Sequence, residues 1–293
     1  MKKVIVLPNI SIQHANAFSS HYTIGFPAMT AWLGAVHALQ RLVLEEDQLS
    51  EIKFTRTGIV SHQFHMDVYR NSAMDLNSIV GMAVPLESDG NRAAFIEEAR
   101  CSLKVSLILE VDGMTPIIPS PLKTILKHLL FSKIKLAGGD ILRMEEPEIF
   151  DMKDETEFSR FKRFIMPGYV LVEKRSLVKN LMEKKNIDAM EAIMELVQVW
   201  NSPIDESGKE WKADKISPGW LIPIACGYQG ISPFTRSAFE RDEETPHRFA
   251  ESIVTMGEFL MPYRLKTFDD ALWAYDYDQE KSLYICSNEP IGE

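Results

Sequence analysis

Residues 2–17 read Lys-Lys-Val-Ile-Val-Leu-Pro-Asn-Ile-Ser-Ile-Gln-His-Ala-Asn-Ala, and residues 25–44 read Gly-Phe-Pro-Ala-Met-Thr-Ala-Trp-Leu-Gly-Ala-Val-His-Ala-Leu-Gln-Arg-Leu-Val-Leu. Lys2 to Leu7 is a short β-branched run ended by Pro8 and reads as a first strand. Residues 9–27 follow as a polar loop, long for a connection inside a compact domain and of the kind that tends to carry function. From Met29 to Leu44 the residues Trp32, Leu33, Val36, Leu39, Leu42 and Val43 fall on one stripe, which predicts a helix.

Working outward, Glu51 to Val68 reads as strand, interrupted near Gly58. Residues 69–92 are thinner in apolar side chains and carry turn chemistry at Pro85 and Asp89-Gly90, which predicts a projecting hairpin. A short helix over 93–100 and a strand over 103–111 come next, then a helix over 121–131 and the turn Gly138-Gly139 before a short strand. Strand, helix, strand, strand, helix, strand is the βαββαβ order of a ferredoxin-like or RRM-like domain, so the fold class is α+β. That domain spans 1–145. The acidic run 145–157 marks a boundary, and 146–293 is a second α+β part packing on the first. Its pattern predicts a helix over 158–165, a strand over 169–173 and one long helix over 176–200. A polar linker over 201–215 and a Gly/Pro-rich strand region from Ser217 follow, then a helix over 245–261 and a closing strand over 283–286.

The chain has 293 residues, 45% of them apolar and 25% charged, which is the composition of a folded globular protein and excludes a disordered or low-complexity one. A chain this long buries about 75% of its unfolded surface. No apolar run approaches the ~20 residues that cross a bilayer, and the N-terminus is too short in apolar residues for a signal-peptide core. Three widely spaced cysteines argue against a disulfide framework and for a reducing cytoplasm. The net charge of −10 argues on its own against a nucleic-acid partner, but the charge is segregated. Residues 158–185 carry a local +6 and residues 121–143 a local +4, against −6 over 145–157 and −8 from Ala238 onward. Such a chain either presents one basic surface or merely alternates solvated faces.

No Walker loop, dinucleotide-binding glycine pattern, nucleophile elbow or zinc-protease helix occurs. His62-Gln-Phe-His65 is no chelate, because strand positions three apart face opposite ways. The pairs Glu97-Glu98 and Glu243-Glu244 read as solvated charges. Within 9–27, Gln13 and Asn16 carry planar amides suited to base edges or sugar hydroxyls, and equally to capping turns. Gly138-Gly139 permits close approach of a phosphate or another backbone, or simply a tight turn. Arg100, Arg143, Lys162 and Arg163 neutralise either phosphates or nearby acids. Trp220, Tyr228 and Phe234 either stack on bases or pack.

Many of these stretches, taken in order, resemble one family. Ser-Ile-Gln-His-Ala-Asn-Ala (11–17), Gly-Phe-Pro (25–27), Val-His-Ala-Leu-Gln-Arg (36–41) and Gly-Ile-Val-Ser-His-Gln-Phe (58–64) are similar to the second Csy subunit of the type I-F CRISPR surveillance complex. So are Leu-Ala-Gly-Gly-Asp-Ile-Leu (136–142), Pro-Gly-Trp-Leu-Ile-Pro-Ile (218–224), Glu-Thr-Pro-His-Arg-Phe-Ala-Glu (244–251) and Gly-Glu-Phe-Leu-Met-Pro-Tyr-Arg (257–264). The resemblance runs from residue 5 to about 285 and is weakest over 145–215. It implies a tail subunit of the RAMP superfamily, not an enzyme and without metal or cofactor. Such a subunit pairs with the large Csy subunit, holds the 5′ handle of the guide crRNA and abuts the adjacent backbone subunit. It meets target DNA only indirectly and involves no membrane. The resemblance also implies that Ser11, Gln13, Asn16, Ser19, Gly138 and Gly139 line the RNA path. Arg41, Arg100, Arg163, Arg236 and Arg248 are then phosphate or base contacts. The segment 69–92 is the implied thumb-like hairpin. It departs from the basic family pattern with Asp75, Glu87 and Asp89 beside Arg70 and Arg92, which favours wedging by Met74, Leu76 and Met82. Two alternatives stand beside this reading: a metal-independent endoribonuclease using His14, His21 or His37, and a purely protein–protein scaffold.

Overall fold

The structure is a computed structural model that describes residues 2–46, 49–72, 74–79, 81–82, 86–92, 96–113, 121–204, 211–236 and 245–288. The main elements are β1 (Lys2–Asn16), α1 (Met29–Leu44), β2 (Lys53–Met66), β3 (Arg100–Asp112), α2 (Leu122–Lys133), β4 (Asp140–Arg143), β5 (Glu148–Met152) and α3 (Glu155–Phe164). Then come β6 (Tyr169–Glu173), α4 (Arg175–Lys185), α5 (Ala189–Val197), β7 (Leu221–Gly230), β8 (Ala250–Leu260), β9 (Ala274–Asp278) and β10 (Leu283–Ser287). The class is α+β. Among the described residues the ten strands form one sheet ordered β4-β1-β3-β2-β6-β8-β7-β10-β9, with β5 pairing β1 beside β4.

The stretch that opens the chain is not a strand followed by a loop. β1 runs on to Asn16, and its pairing with β3 slips twice, between Leu7 and Ile10 and between Ile12 and Ala15. Each slip is a β-bulge holding one residue in the left-handed region, Asn9 at φ 53° and His14 at φ 54°. Pro8, which lacks an N–H, sits in the first slip, where the ladder asks nothing of it. The bulges also restore the inward phase: Ile5, Leu7, Ile10, Ile12 and Ala15 all reach one core despite changing parity.

That core lies between one face of the sheet and α1 with α2, and centres on Trp32, whose indole N–H donates to Pro27 O at 3.2 Å. The opposite face packs Val4, Val6, Val60 and Ile108 under α3 through Phe150, Phe161 and Phe268. A smaller cluster seats α4 and α5 on Met256. The interruption expected near Gly58 is a slip of the β2–β3 ladder between Phe54 and Thr57, while β2 itself continues through Gly58, where a Cβ would lie 2.4 Å from Ala271 O.

Other expectations fail for identifiable reasons. The long helix expected over 176–200 breaks at Asn186, which is left-handed, and restarts at Asp188, whose carboxylate and Glu191 form a capping box. Its last residue, Trp200, starts a strand instead, and the linker expected over 201–215 carries strand pairing, Trp200–Pro203 with Trp211–Asp214. The helix expected over 245–261 is the strand β8. Ile253-Val254-Thr255 is β-branched, and β8 is held on both sides by β6 and β7. The helix expected over 93–100 gives way to a strand at Ile96–Glu97, paired with Gly81–Met82, and to the start of β3. Residues 93–95 lie outside the described residues. Within the expected hairpin, Val68–Tyr69 pairs with Ser78–Ile79, and Met74 and Leu76 are 96% and 88% exposed. The side chain of Met82 lies outside the described part. β5 arises inside the acidic run, and β9 was not anticipated.

Candidate nucleic-acid interface

A cleft of about 770 Å³ opens where the end of β1, the start of β3, the first turns of α1 and the turn before β4 converge. The backbone builds it. Asn16 N donates to Ala137 O at 2.8 Å and Ala17 N to Ala99 O at 2.9 Å, so the end of β1 is pinned between the turn and β3. The turn itself is a two-residue hairpin. Leu136 and Gly139 exchange main-chain bonds, and Ala137 (φ 49°) and Gly138 (φ 75°) are both left-handed. The two glycines do different jobs. A Cβ on Gly139 would meet Ile12 Cγ2 at 2.6 Å and Gln13 O at 2.8 Å, so this residue is a packing requirement. Gly138 has open space around it and turns its main chain to the cleft.

Four of the sequence-derived site residues line this cleft: Asn16, Ser19, Arg100 and Gly138. The Asn16 amide caps its own turn, donating to Phe18 O and accepting from Phe18 N, both at 3.1 Å. Ser19 Oγ bonds Thr23 Oγ1 at 2.8 Å. Arg100 pairs with Glu98, and its Nε is buried without a partner among the described residues. Glu98 is thus no idle solvated charge. Lys135, paired with Asp140 at 2.7 Å, supplies a second cation, and Tyr228 and Tyr284 supply aromatic walls. From sequence Lys135 is only part of a basic run and Glu98 only a solvated charge, neither of them a site residue. The signal available for Glu98 was its place two residues before Arg100, where β3 begins.

The remaining candidates lie elsewhere. Gly139 backs the turn, while Ser11 and Gln13 sit further along β1, opposite Arg143 and Asp140. Arg41 lies in the last turn of α1, exposed. Arg163 is on α3, on the sheet face opposite α1 and α2. Arg236 is exposed, and Arg248 lies 3.9 Å over the Phe234 ring, admitted by Gly230, where a Cβ would lie 2.5 Å from its Nη1. The single basic track expected from sequence is therefore split across both faces.

His62 is a structural group. His62 Nδ1–H donates to Pro167 O at 2.5 Å, and its Nε2 accepts from Ser106 Oγ at 2.7 Å. Ser106 Oγ in turn accepts from Asn9 N at 3.0 Å, which ties down the first bulge. Burial holds the His62 pKa below its ordinary value, as the neutral ring in this relay requires. His14 Nδ1 lies 3.1 Å from Asp67. Among the described residues no group of three or more His, Cys, Asp or Glu could hold a metal ion, and no helix is long and apolar enough to cross a membrane. Cys101, Cys226 and Cys286 are buried free thiols.

A family model described as CRISPR-associated protein (Cas_Csy2) matches residues 5–286. The α+β sheet and its cleft are thus those of a CRISPR-associated protein. The curated CRISPR-associated protein Csy2 of Pseudomonas aeruginosa (strain UCBPP-PA14) is 32% identical over 322 aligned positions, covering 99% of this chain and 96% of that one. The chain belongs to the Csy2 family and is a subunit of the type I-F CRISPR system.

Proposed function

We propose that this chain is a non-catalytic, cytoplasmic subunit that grips the 5′ handle of the guide crRNA and pairs with the large Csy subunit. It sets the start of the backbone filament and meets target DNA through the guide. The observation that carries this reading is the cleft that gathers Asn16, Ser19, Arg100 and Gly138 with Lys135, Tyr228 and Tyr284. Main-chain groups at a left-handed glycine, two cations and aromatic walls are what a splayed single strand needs. The strand order β4-β1-β3-β2, with α1 and α2 on one face, supports reading residues 1–145 as an RRM-like domain. The exposed Met74 and Leu76 support a wedging role for the hairpin 69–92.

The test is binding of handle RNA against an unrelated RNA of equal length by the chain assembled with the large subunit. Preference for the handle, weakened by salt, is expected. Equal binding overturns handle recognition. Incubation with precursor repeat RNA tests the non-catalytic assignment, which a 2′,3′-cyclic phosphate product would overturn.

A further inference from the structure

A second cleft, of about 360 Å³, lies where β2 loses its neighbour. β2 pairs with β6 only through Val60–Val170 and Ser61–Tyr169, so that edge of β2 runs unpaired beyond Ser61 among the described residues. Beside this edge stands a ring of aromatic side chains. Trp220, 55% exposed, has its ring centroid 5.3 Å from that of Tyr169 and 5.5 Å from that of Phe259, both T-shaped, so no described ring stacks parallel on the indole. Phe64 is also exposed and faces the same space. Over the edge lies a smaller cleft of about 270 Å³, sharing His62, Gln63 and Tyr169 with the first and reaching Lys104. Lys104 is directly opposite Gln63 in the ladder. Among the described residues Lys104 makes no ion pair, and the exposed Gln63 amide makes no side-chain hydrogen bond.

We propose that this slot takes one unstacked nucleobase of a single-stranded RNA. The base lies against Trp220 and Phe64, its polar edge meets the Gln63 amide, and an adjoining phosphate sits on Lys104. A flat ring suits unstacked aromatic faces, an unused amide offers donor and acceptor together, and a cation without a carboxylate matches a phosphate. An apolar peptide side chain would use the rings but leave both polar groups idle. The inference rests on the RNA-gripping reading above but concerns a different part of the surface.

The full chain, assembled with its type I-F partners on guide RNA carrying a photoreactive thionucleoside at one position at a time, tests it. One position is expected to form its adduct at Trp220, Phe64 or Tyr169. Trp220→Ala should weaken RNA binding by roughly 5- to 150-fold, the range of one lost base–aromatic stack. Trp220→Phe should recover most of it, which a folding defect at the exposed position would not predict. Adducts at the Asn16–Gly138 cleft with none here overturn the slot and leave the gripping reading standing. No adduct anywhere on this chain removes both. If Trp220→Ala releases a partner subunit while the RNA adducts persist, the slot is a protein pocket and the proposal fails.

Discussion

Replacing Arg100 and Lys135 with glutamine, singly and together, probes whether the 770 Å³ cleft holds phosphate. Both cations are already paired, Arg100 with Glu98 and Lys135 with Asp140, so RNA must exchange a carboxylate for a phosphate at each. Each phosphate neutralised on a single strand contributes about 0.7 to the slope of log affinity against log salt. The double variant should therefore lower that slope by about 1.4, so that raising salt fourfold costs it roughly sevenfold less affinity than it costs the parent. Glu98→Gln should act oppositely. It frees Arg100 from an ion pair that, at side-chain exposures of 25% and 39%, is worth no more than about 1 kcal/mol, and so raises affinity by up to about fivefold. Filter binding of labelled handle RNA to the assembled complex, titrated across several salt concentrations, reads both effects. A slope unmoved in the double variant would mean that phosphates do not pass through this cleft, and the reasoning from its cations would be refuted.

Gly139→Ala should destabilise the protein by about 1–3 kcal/mol, because the added Cβ collides with Ile12 and the Gln13 carbonyl, whereas Gly138→Ala should reduce stability only through its left-handed φ; urea melts of the two variants rank them. Glu110 accepts from Arg56 Nε and Nη2 at 2.6 and 2.7 Å while Arg56 keeps a second partner in Asp269, so Glu110→Leu alone should cost about 1–3 kcal/mol, and pairing it with Arg56→Met should recover part of that in a double-mutant cycle. As pH falls below the ordinary histidine value of about 6.5, the unfolded chain takes up a proton at His62 that the folded relay resists. Stability should therefore drop on acidification, and less so in His62→Gln. Burial pushes the thiols of Cys101, Cys226 and Cys286 up to about 12, so none should react with a disulfide reagent at pH 8 until the protein is unfolded by denaturant.

What the sequence could reveal depended on whether the signal was local. α1 was legible because Trp32, Leu33, Val36, Leu39 and Val43 all turn to the core, and β6 because Tyr169–Glu173 is a short apolar run. β1 was misread because Pro8, Asn9 and Gln13-His14 look like a loop until their phase slips are recognised as bulges. β8 was misread because what makes it a strand is its place between β6 and β7, which no local pattern carries. At the cleft, Asn16, Ser19, Arg100 and Gly138 were readable from motif resemblance. Lys135 and Glu98 enter only because a turn and a strand end meet there. Arg163 failed to join them for the same reason in reverse: a charge count cannot tell the two sides of a sheet apart.

The two left-handed residues of β1 have a consequence for Ser11 and Gln13. Between Asn9 and His14 the chain forms a four-residue cassette, Ile10 to Gln13, whose outward and inward sides are assigned by the kinks that bound it. Ile10 and Ile12 are buried while Gln13 is exposed only because both kinks are in place. Losing one would rotate the cassette half a turn, bringing its amide inside and leaving two isoleucines in water. The aim of those polar side chains is thus written at neighbouring positions, and a β-branched residue at 9 would silence them without touching them.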